Sequence, residues 1–417
     1  MEDTNTMAVI KAFECIKPTK ELAAEVAALP YDVYNREEAC EAVKGKPYSF
    51  LRIDRAETQF GAEVSTYDDK VYEKAKELLV EMKEKGVYVK SDKKCYYIYE
   101  LTMNGRTQTG IVACASIDDY LNNVIKKHEN TREEKEIDRI RHVDTCSAQT
   151  GPIFLAYREN KAIQQVIDKT KQSEPIFAFT AEDGIRHVGY MIDAEEDINT
   201  IENEFLGIQE IYIADGHHRA ASAVKVGLKR RNENPNYNGT EEFNYFLSVL
   251  FQEQELMIMP YNRVVKDLNG LSVEEFLSKI EEHFTVRKVD KEAFEPSEKA
   301  EVSMYLEGEW YALKAEAEIL SEVAVEGLDV SLLQDYILRP ILGIEDPRTD
   351  KRIDFIGGIR GLKELEKRCN EDMKVAFAMY PTSIQELFEV ADDGKLMPPK
   401  STWFEPKLRS GLFIHEI

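Results

Sequence analysis

One segment couples an apolar strand to a helix through a tight turn, and it limits the possible folds of this chain more than any other segment. The run Ile211–Ala214 has the β-branched and aromatic content of a short buried strand. Asp215 and Gly216 form a strong turn signal, and the chain is compatible with a helix from His217 onward. A strand that leads into a helix in this way predicts a mixed α/β fold built on a sheet.

The start of that predicted helix is suited to an anion. Gly216 allows the backbone to approach a ligand closely, and the first helical amides have no intrahelical partner and lie at the positive end of the helix dipole. His217, His218 and Arg219 add side-chain donors. The segment Asp215–Arg219 therefore predicts a phosphate site, although a solvated helix cap accounts for the same residues.

A second polar cluster lies between residues 127 and 142. If the chain is helical from Glu133, four side chains fall at i, i+3, i+4 and i+7 and share one face: Lys135, Asp138, Arg139 and His142. A solvent-facing charged stripe explains the same spacing. The chemical variety of the cluster favours a functional site instead, because it offers bases, cations and a hydroxyl within one stretch.

The residue types in this cluster indicate individual roles. Glu129 and His128 are candidate catalytic bases, and Arg139 is a candidate phosphate ligand. The candidates for contacts to the substrate are Thr131, Lys135 and His142.

A third cluster lies within Met397–Lys407. Its prolines fix φ and remove backbone donors, so a stiff loop is expected. Three consecutive residues are candidate phosphate ligands: Lys400, Ser401 and Thr402. Lys407 is a further candidate for the substrate. The loop lacks the glycines of GxxxxGK[ST], so a Walker A mechanism is not supported, and a structural loop remains the alternative.

The pattern of elements predicts two domains. Two apolar β-rich runs around Asn104-Gly105 give the strongest hairpin signal, and residues 241–268 are predicted to add a strand pair to the same sheet as the Ile211 strand. The pattern changes near residue 270. We therefore expect an α/β phosphate-binding core over residues 1–270 and an α+β unit over residues 271–417, with residues 395–417 returning to the core.

Charge and composition restrict the partners. Lys and Arg number 54 against 78 Asp and Glu, which gives a net charge of −24. A surface this negative disfavours nucleic acid, whereas a local basic cleft can still bind a small phosphorylated ligand. No apolar run approaches the ~20 residues that span a bilayer, so no membrane partner is expected. The sequence is compatible with a homodimer.

The expected compartment is the cytoplasm. The six cysteines are scattered without a CxxC pair, which is typical of buried free thiols, and the N-terminal segment does not have the pattern of a secretory signal. No dedicated metal site is expected, because His217 and His218 are adjacent and neither HExxH nor paired cysteines occur. Mg²⁺ carried in by a nucleotide needs only one or two carboxylates.

The three polar clusters together resemble the signature of the DUF1015 family. The matching segments are Ala214–Arg219, Lys127–His142 and Met397–Leu412, so the resemblance spans nearly the whole chain. That family is distantly similar to the ParB/sulfiredoxin-like fold, which includes the ADP-dependent free serine kinases. The resemblance implies a ParB-like mixed-sheet core with an additional α+β C-terminal unit.

The resemblance also implies a ligand and a reaction. In the serine kinases the corresponding turn cradles nucleotide phosphates, so ADP or ATP is the expected cofactor at Asp215–Arg219. Their catalytic carboxylate lies upstream of the turn, and the upstream candidates here are Glu25, Asp32 and Glu129. We take Asp32, together with His218, as a candidate catalytic group.

The expected function is therefore a small-molecule phosphotransferase. It moves a phosphoryl group between ADP or ATP and a hydroxy amino acid, serine or phosphoserine, because phosphoryl transfer requires mainly positioning and charge neutralisation. Two alternatives remain open. One is a hydrolase that resembles a phosphoserine phosphatase, and the other is a nucleotide-binding regulatory protein without catalysis.

Overall fold

The computed structural model describes residues 7–289 and 293–417. They form two compact units: the described residues up to Leu256 join Pro406–Ile417 in the first, and Met257–Glu405 form the second. The division falls after Leu256 rather than near residue 270, because Tyr261–Val265 pairs with strands of the second unit. Within the described residues, no helix is long and apolar enough to cross a membrane.

The strands are numbered in chain order. They are β1 (Ile10–Lys11), β2 (Ile16–Pro18), β3 (Tyr88–Lys90), β4 (Tyr96–Met103), β5 (Arg106–Ser116), β6 (Ile125–Lys126), β7 (Ala148–Gln149), β8 (Ile153–Tyr157), β9 (Phe177–Thr180), β10 (Arg186–Ile192), β11 (Ile211–Asp215), β12 (Tyr245–Gln252), β13 (Ile258–Met259), β14 (Tyr261–Val265), β15 (Phe284–Val289), β16 (Glu301–Leu306), β17 (Glu309–Ala315), β18 (Ile353–Gly357), β19 (Val375–Met379), β20 (Trp403–Phe404) and β21 (His415–Glu416).

The α-helices are numbered in the same way. They are α1 (Ala23–Val26), α2 (Arg36–Ala42), α3 (Leu51–Asp54), α4 (Asp69–Glu84), α5 (Ile117–Leu121), α6 (Glu133–Cys146), α7 (Lys161–Thr170), α8 (Glu195–Phe205), α9 (His217–Glu233), α10 (Val273–Ile280), α11 (Asp329–Leu333), α12 (Leu362–Glu371) and α13 (Ile384–Asp392). Short 3₁₀ turns cover Tyr31–Val33, Ala56–Gln59, Glu242–Asn244, Glu253–Glu255, Ala317–Ile319 and Gly358–Arg360, and a π-helical turn covers Gln334–Leu338.

The first unit is built on a mixed sheet with the strand order β6-β11-β8-β12-β5-β4-β10-β9, and β1 pairs with β5. The pairs β6–β11 and β8–β12 are parallel, and the other neighbours are antiparallel. Helices α7, α8 and α9 contribute buried apolar residues to the core on this sheet. The predicted mixed α/β fold class is confirmed.

Two local predictions can be compared with this sheet. The hairpin is confirmed: β4 and β5 pair around Asn104 and Gly105, both of which have positive φ, as a tight two-residue turn requires. The prediction for residues 241–268 is wrong in part. β12 does join the sheet, although β8 separates it from β11, whereas β14 belongs to the second unit.

The second unit contains an antiparallel sheet with the order β15-β17-β16-β19-β14-β18. One apolar cluster joins buried residues of this sheet to Leu365 of α12. The unit is a separate α+β body, because its strands pair with one another rather than with those of the first sheet.

The parallel pairing of β6 and β11 positions the functional region. Ile125 lies opposite Ile211, and Lys126 lies opposite Tyr212. Because neighbouring parallel strands end at the same edge of a sheet, the residues that follow them meet there. Those residues are the start of the second polar cluster and the turn that leads into α9.

Candidate functional site

The turn between β11 and α9 has the geometry that its glycine permits. Gly216 has φ 95° and ψ 31°, in the left-handed region. A Cβ at this position would lie 3.0 Å from Nε of Arg219, so the glycine also gives room for the guanidinium to fold against the backbone. The first turn of α9 therefore begins immediately beside the end of the strand, with its unpaired amides at the edge of the sheet.

Asp215 organises the charges of the turn. Its carboxylate accepts a hydrogen bond from Lys407 Nζ at 3.1 Å and from the Gly216 amide at 2.9 Å. Arg219 lies 3.9 Å from the same carboxylate. Burial raises the pKa of Asp215, but the charges of Lys407 and Arg219 outweigh that effect and hold the pKa well below its usual value. Two cationic side chains thus lie beside the Asp215 carboxylate at this turn.

Arg219 also connects the turn to a pocket. Its Nη1 donates to the Pro152 carbonyl at 2.6 Å, and its side chain lines a cavity of about 30 Å³ together with Tyr31, Arg139 and His142. A cavity of this volume holds one or two water molecules. The turn and α6 of the second polar cluster therefore line one small cavity, which would have to open to admit a nucleotide.

The predicted face of α6 is directed inward. Lys135, Asp138, Arg139 and His142 all line a second pocket of about 110 Å³, which shares Tyr31, Asp54, Arg139 and His142 with the first. Asp138, Arg139 and His142 are buried and Lys135 is half-buried. The stripe is therefore not a solvated helix face.

Most polar groups of this face already have partners. Asp138 accepts hydrogen bonds from the Tyr72 hydroxyl and from Nε of Arg139, both at 2.9 Å. The Arg139 guanidinium lies 3.9 Å from the centre of the Tyr31 ring. Burial raises the pKa of Asp138, but Arg139 and the hydrogen bond from Tyr72 lower it further than burial raises it. His142 Nε2 lies 3.1 Å from the Ile53 carbonyl, and burial lowers its pKa.

Two histidines at the same edge are arranged differently. The rings of His128 and His217 stand perpendicular, with centroids 4.5 Å apart, and both residues are buried. Neither nitrogen of His128 has a hydrogen-bond partner, and Nε2 of His217 also lacks one. Burial lowers the pKa of His128 to about 4 and that of His217 well below its usual value. Both imidazoles are therefore neutral at pH 7.

Glu129 completes this cluster. One ligand atom from each of His128, Glu129 and His217 lies within 4.8 Å of the others. A group of two imidazoles and a carboxylate is able to hold a cation. This group could not be predicted from the adjacent histidines of the turn, because His128 and Glu129 approach His217 only across the edge of the sheet.

The remaining candidates of the first unit lie around α6 and the turn. His218 Nε2 accepts a hydrogen bond from the Arg132 amide at 2.9 Å. Burial lowers the pKa of His218, and the carboxylates of Asp32 and Glu136 oppose that shift. Asp32 is exposed, in a 3₁₀ turn. The Thr131 hydroxyl donates to Glu136, so it is engaged within the protein.

The third cluster divides between the units. Lys407 belongs to the first unit and contacts Asp215, whereas Lys400, Ser401 and Thr402 belong to the second. Ser401 Oγ donates to the Pro398 carbonyl at 2.6 Å, and Lys400 Nζ lies 5.4 Å from the centre of the Tyr261 ring. The roles of Lys400, Ser401 and Thr402 as phosphate ligands stay predictions.

Sequence reasoning did not identify some residues of these pockets. Tyr31 packs on Arg139, and Tyr72 bonds Asp138, but neither hydroxyaryl ring belongs to a polar motif. Asp54 ends the short helix α3 and accepts a hydrogen bond from Thr150 Oγ1 at 3.1 Å. None of these three residues lies in a polar cluster of the sequence, so their place in the pockets follows only from long-range packing.

Comparison with known proteins gives one family and several structures. The family model described as "Protein of unknown function (DUF1015)" matches residues 10–331. No curated protein matches the chain. Among solved structures, a mutant free serine kinase in complex with AMP is 15% identical, with a TM-score of 0.35, and the match covers 71% of this chain and 87% of that one.

Two further structures match over similar lengths. A conserved hypothetical protein from Pyrococcus furiosus is 16% identical with a TM-score of 0.34, covering 72% of this chain and 93% of that one. C-terminally truncated SbnI from Staphylococcus aureus is 12% identical with a TM-score of 0.37, covering 70% and 82%.

Proposed function

We propose that this chain, which belongs to the DUF1015 family, is a phosphotransferase that moves a phosphoryl group between ADP or ATP and a hydroxy amino acid such as serine. The turn Asp215–Arg219 binds the phosphate in this proposal. The nucleotide and the serine are suggested by the resemblance of the sequence motifs to those of free serine kinases, and the phosphate by the geometry of the turn.

The observation that carries the proposal is the group of donors at the start of α9. Lys407 and Arg219 both lie beside the Asp215 carboxylate at this turn. The unpaired amides of the first helical turn, together with the helix dipole, add partial positive charge at the same place. A phosphate group is an anion that can interact with both cations and with these amides.

The residues around the turn suggest how transfer proceeds. Asp32 is exposed and close enough to His218 to influence its pKa, so this carboxylate is the candidate acceptor for the proton of the substrate hydroxyl. Arg219 stabilises the charge on the transferred group. Lys135 and His142, which line the adjoining pocket, are candidates for contacts to the substrate. Mg²⁺ would arrive with the nucleotide.

The proposal is tested by incubating the pure protein with serine and ATP, or with phosphoserine and ADP, in the presence of Mg²⁺. Phosphorus NMR or mass spectrometry then follows the exchange between phosphoserine and the nucleotide. We expect exchange in the natural protein and a loss of about 100-fold or more in kcat/KM for Arg219→Ala, since it removes a charge that stabilises the transition state.

Arg231→Ala is the matched control, because Arg231 lies near the other end of the same helix and pairs with Asp118. It is expected to keep kcat/KM. The absence of exchange in every combination of these substrates contradicts the proposal, as does equal activity of Arg219→Ala and the natural protein. Release of phosphate from phosphoserine without nucleotide would instead identify a hydrolase.

A further inference from the structure

The strongest unused feature of the first unit is a pair of buried histidines with unpartnered ring nitrogens. His128 is 2% exposed and His217 is 6% exposed, and three of their four ring nitrogens are buried without a partner. Buried polar atoms in folded proteins nearly always have a partner, because leaving one unsatisfied destabilises the fold. These nitrogens therefore point to a group that binds there.

The geometry of the cluster restricts that group. The two rings meet at right angles with centroids 4.5 Å apart, and the carboxylate of Glu129 completes a set of ligand atoms within 4.8 Å of one another. A cation bound at about 2.0–2.2 Å from nitrogen and oxygen ligands draws such atoms to within roughly 3.5 Å of one another. Metal binding would therefore draw these three side chains closer together.

The electrostatics of the cluster also suit a cation. A neutral imidazole offers the lone pair of one ring nitrogen, which is what metal binding requires. The carboxylate of Asp215 interacts with both histidines, and carboxylates commonly accompany the imidazole ligands of a bound cation.

We propose that His128, Glu129 and His217 bind one divalent transition-metal ion. Two imidazoles and one carboxylate favour Zn²⁺, Mn²⁺ or Fe²⁺ over Mg²⁺ and Ca²⁺, which prefer oxygen ligands. Three protein ligands leave a coordination position open for water or for a ligand oxygen. Because His217 is the first residue of α9, this position lies beside the turn that carries the anion site. The metal site does not depend on phosphotransferase activity.

The test uses the full chain after treatment with a chelator. Zn²⁺ binding is measured by calorimetry and by metal analysis after dialysis, and Co²⁺ is added separately as a spectroscopic probe. We expect one equivalent of Zn²⁺ per chain, a ligand-field spectrum with Co²⁺, and no displacement of either by excess Mg²⁺. The variants His128→Asn, His217→Asn and Glu129→Gln are expected to weaken Zn²⁺ binding at least about 100-fold, since even outer-shell partners contribute 10–100-fold.

His187→Asn is the matched control. His187 is also buried with an unpartnered Nε2, but its Nδ1 bonds the Tyr99 hydroxyl at 2.8 Å, and within the described residues it joins no group of three potential ligands. Its substitution should leave Zn²⁺ affinity unchanged. Circular dichroism checks that each variant is folded, and Glu129→Gln, at a half-buried position, is the variant least prone to unfold.

Three results overturn the proposal: no Zn²⁺ or Co²⁺ bound by the natural chain, unchanged affinity in the folded Glu129→Gln variant, or equal loss in the His187 control. Phosphoryl exchange by metal-free protein supplied with Mg²⁺ and nucleotide would sustain the proposed function while the metal site fails. Zn²⁺ binding without phosphoryl exchange would instead sustain the metal site while the proposed function fails.

Discussion

The polar face of α6 and the histidine pair beside the turn are both buried in the first unit, yet they differ in how their polar groups are satisfied. Asp138 has Tyr72 and Arg139 as partners, and Arg139 in turn packs on Tyr31. His128 and His217 keep unpartnered nitrogens. The difference indicates that Asp138 and Arg139 on α6 stabilise the fold, whereas the histidine pair is arranged to receive a ligand.

The largest expected effect tests the structural role of Asp138 and Arg139. Asp138→Ala removes the partner of the buried Arg139 and leaves an uncompensated charge, so the free energy of unfolding should fall by about 3–5 kcal/mol. Urea denaturation with an unchanged m-value measures this. The control is Asp69→Ala, which breaks an exposed ion pair with Arg141, a residue of α6 like Asp138. It should lower the free energy of unfolding by at most about 1 kcal/mol. Similar losses of stability in Asp138→Ala and Asp69→Ala would contradict a structural role for Asp138 and Arg139.

The next effect concerns the pH dependence of stability. The pKa of His128 is lowered from 6.5 to about 4 in the folded state, so between these values the unfolded chain binds more protons and stability rises with pH. As pH falls from 6.5 to 4, this group should remove roughly 3 kcal/mol. In urea denaturation of metal-free protein, His128→Leu should flatten this part of the profile.

His283→Asn is the control for that profile. His283 lies in the second unit and its side chain is 39% exposed, so it reports the effect of losing a histidine outside the buried pair. The slope between pH 4 and 6.5 should change more in His128→Leu than in His283→Asn. If His128→Leu and the natural protein lose stability in parallel as pH falls, the account of a buried neutral imidazole is wrong.

The smallest expected effect is a change in the free energy of unfolding that has opposite signs in two variants. At pH 8 without metal, His128→Leu removes unsatisfied buried nitrogens and should raise the free energy of unfolding by about 1 kcal/mol. Tyr72→Phe removes a hydrogen bond to the Asp138 carboxylate and should lower it by about 1.5–3 kcal/mol. Guanidinium denaturation of the two variants compares them directly. A lower free energy of unfolding in both variants would contradict the distinction between the polar face of α6 and the histidine pair.

The sequence predicted the parts of the fold that depend on local signals. Gly216 adopts the left-handed conformation that its turn requires, Asn104 and Gly105 form the predicted hairpin, and α6 begins at Glu133. Each of these follows from the conformational preferences of a few adjacent residues or from helical spacing. These local preferences do not indicate which strands pair with one another in the sheet.

The approach of His128 to His217 could not be predicted for that reason. It depends on the parallel pairing of β6 with β11, and β6 is a two-residue strand that lies far from β11 in the sequence. Nor could the sequence reveal that Asp138 and Arg139 neutralise each other, since this depends on the burial of α6 and on Tyr72 from α4. Long-range packing decides both features.

The central claim is that the turn between β11 and α9 binds a metal ion and a phosphate. A crystal structure of the chelator-treated protein soaked with Zn²⁺ and inorganic phosphate, recorded at the zinc absorption edge, tests it most directly. The account predicts an anomalous peak ligated by His128, Glu129 and His217, with phosphate density in hydrogen-bonding contact with Arg219 and the first amides of α9. Zinc and phosphate bound only elsewhere, with the turn and the two histidines bare, would contradict it.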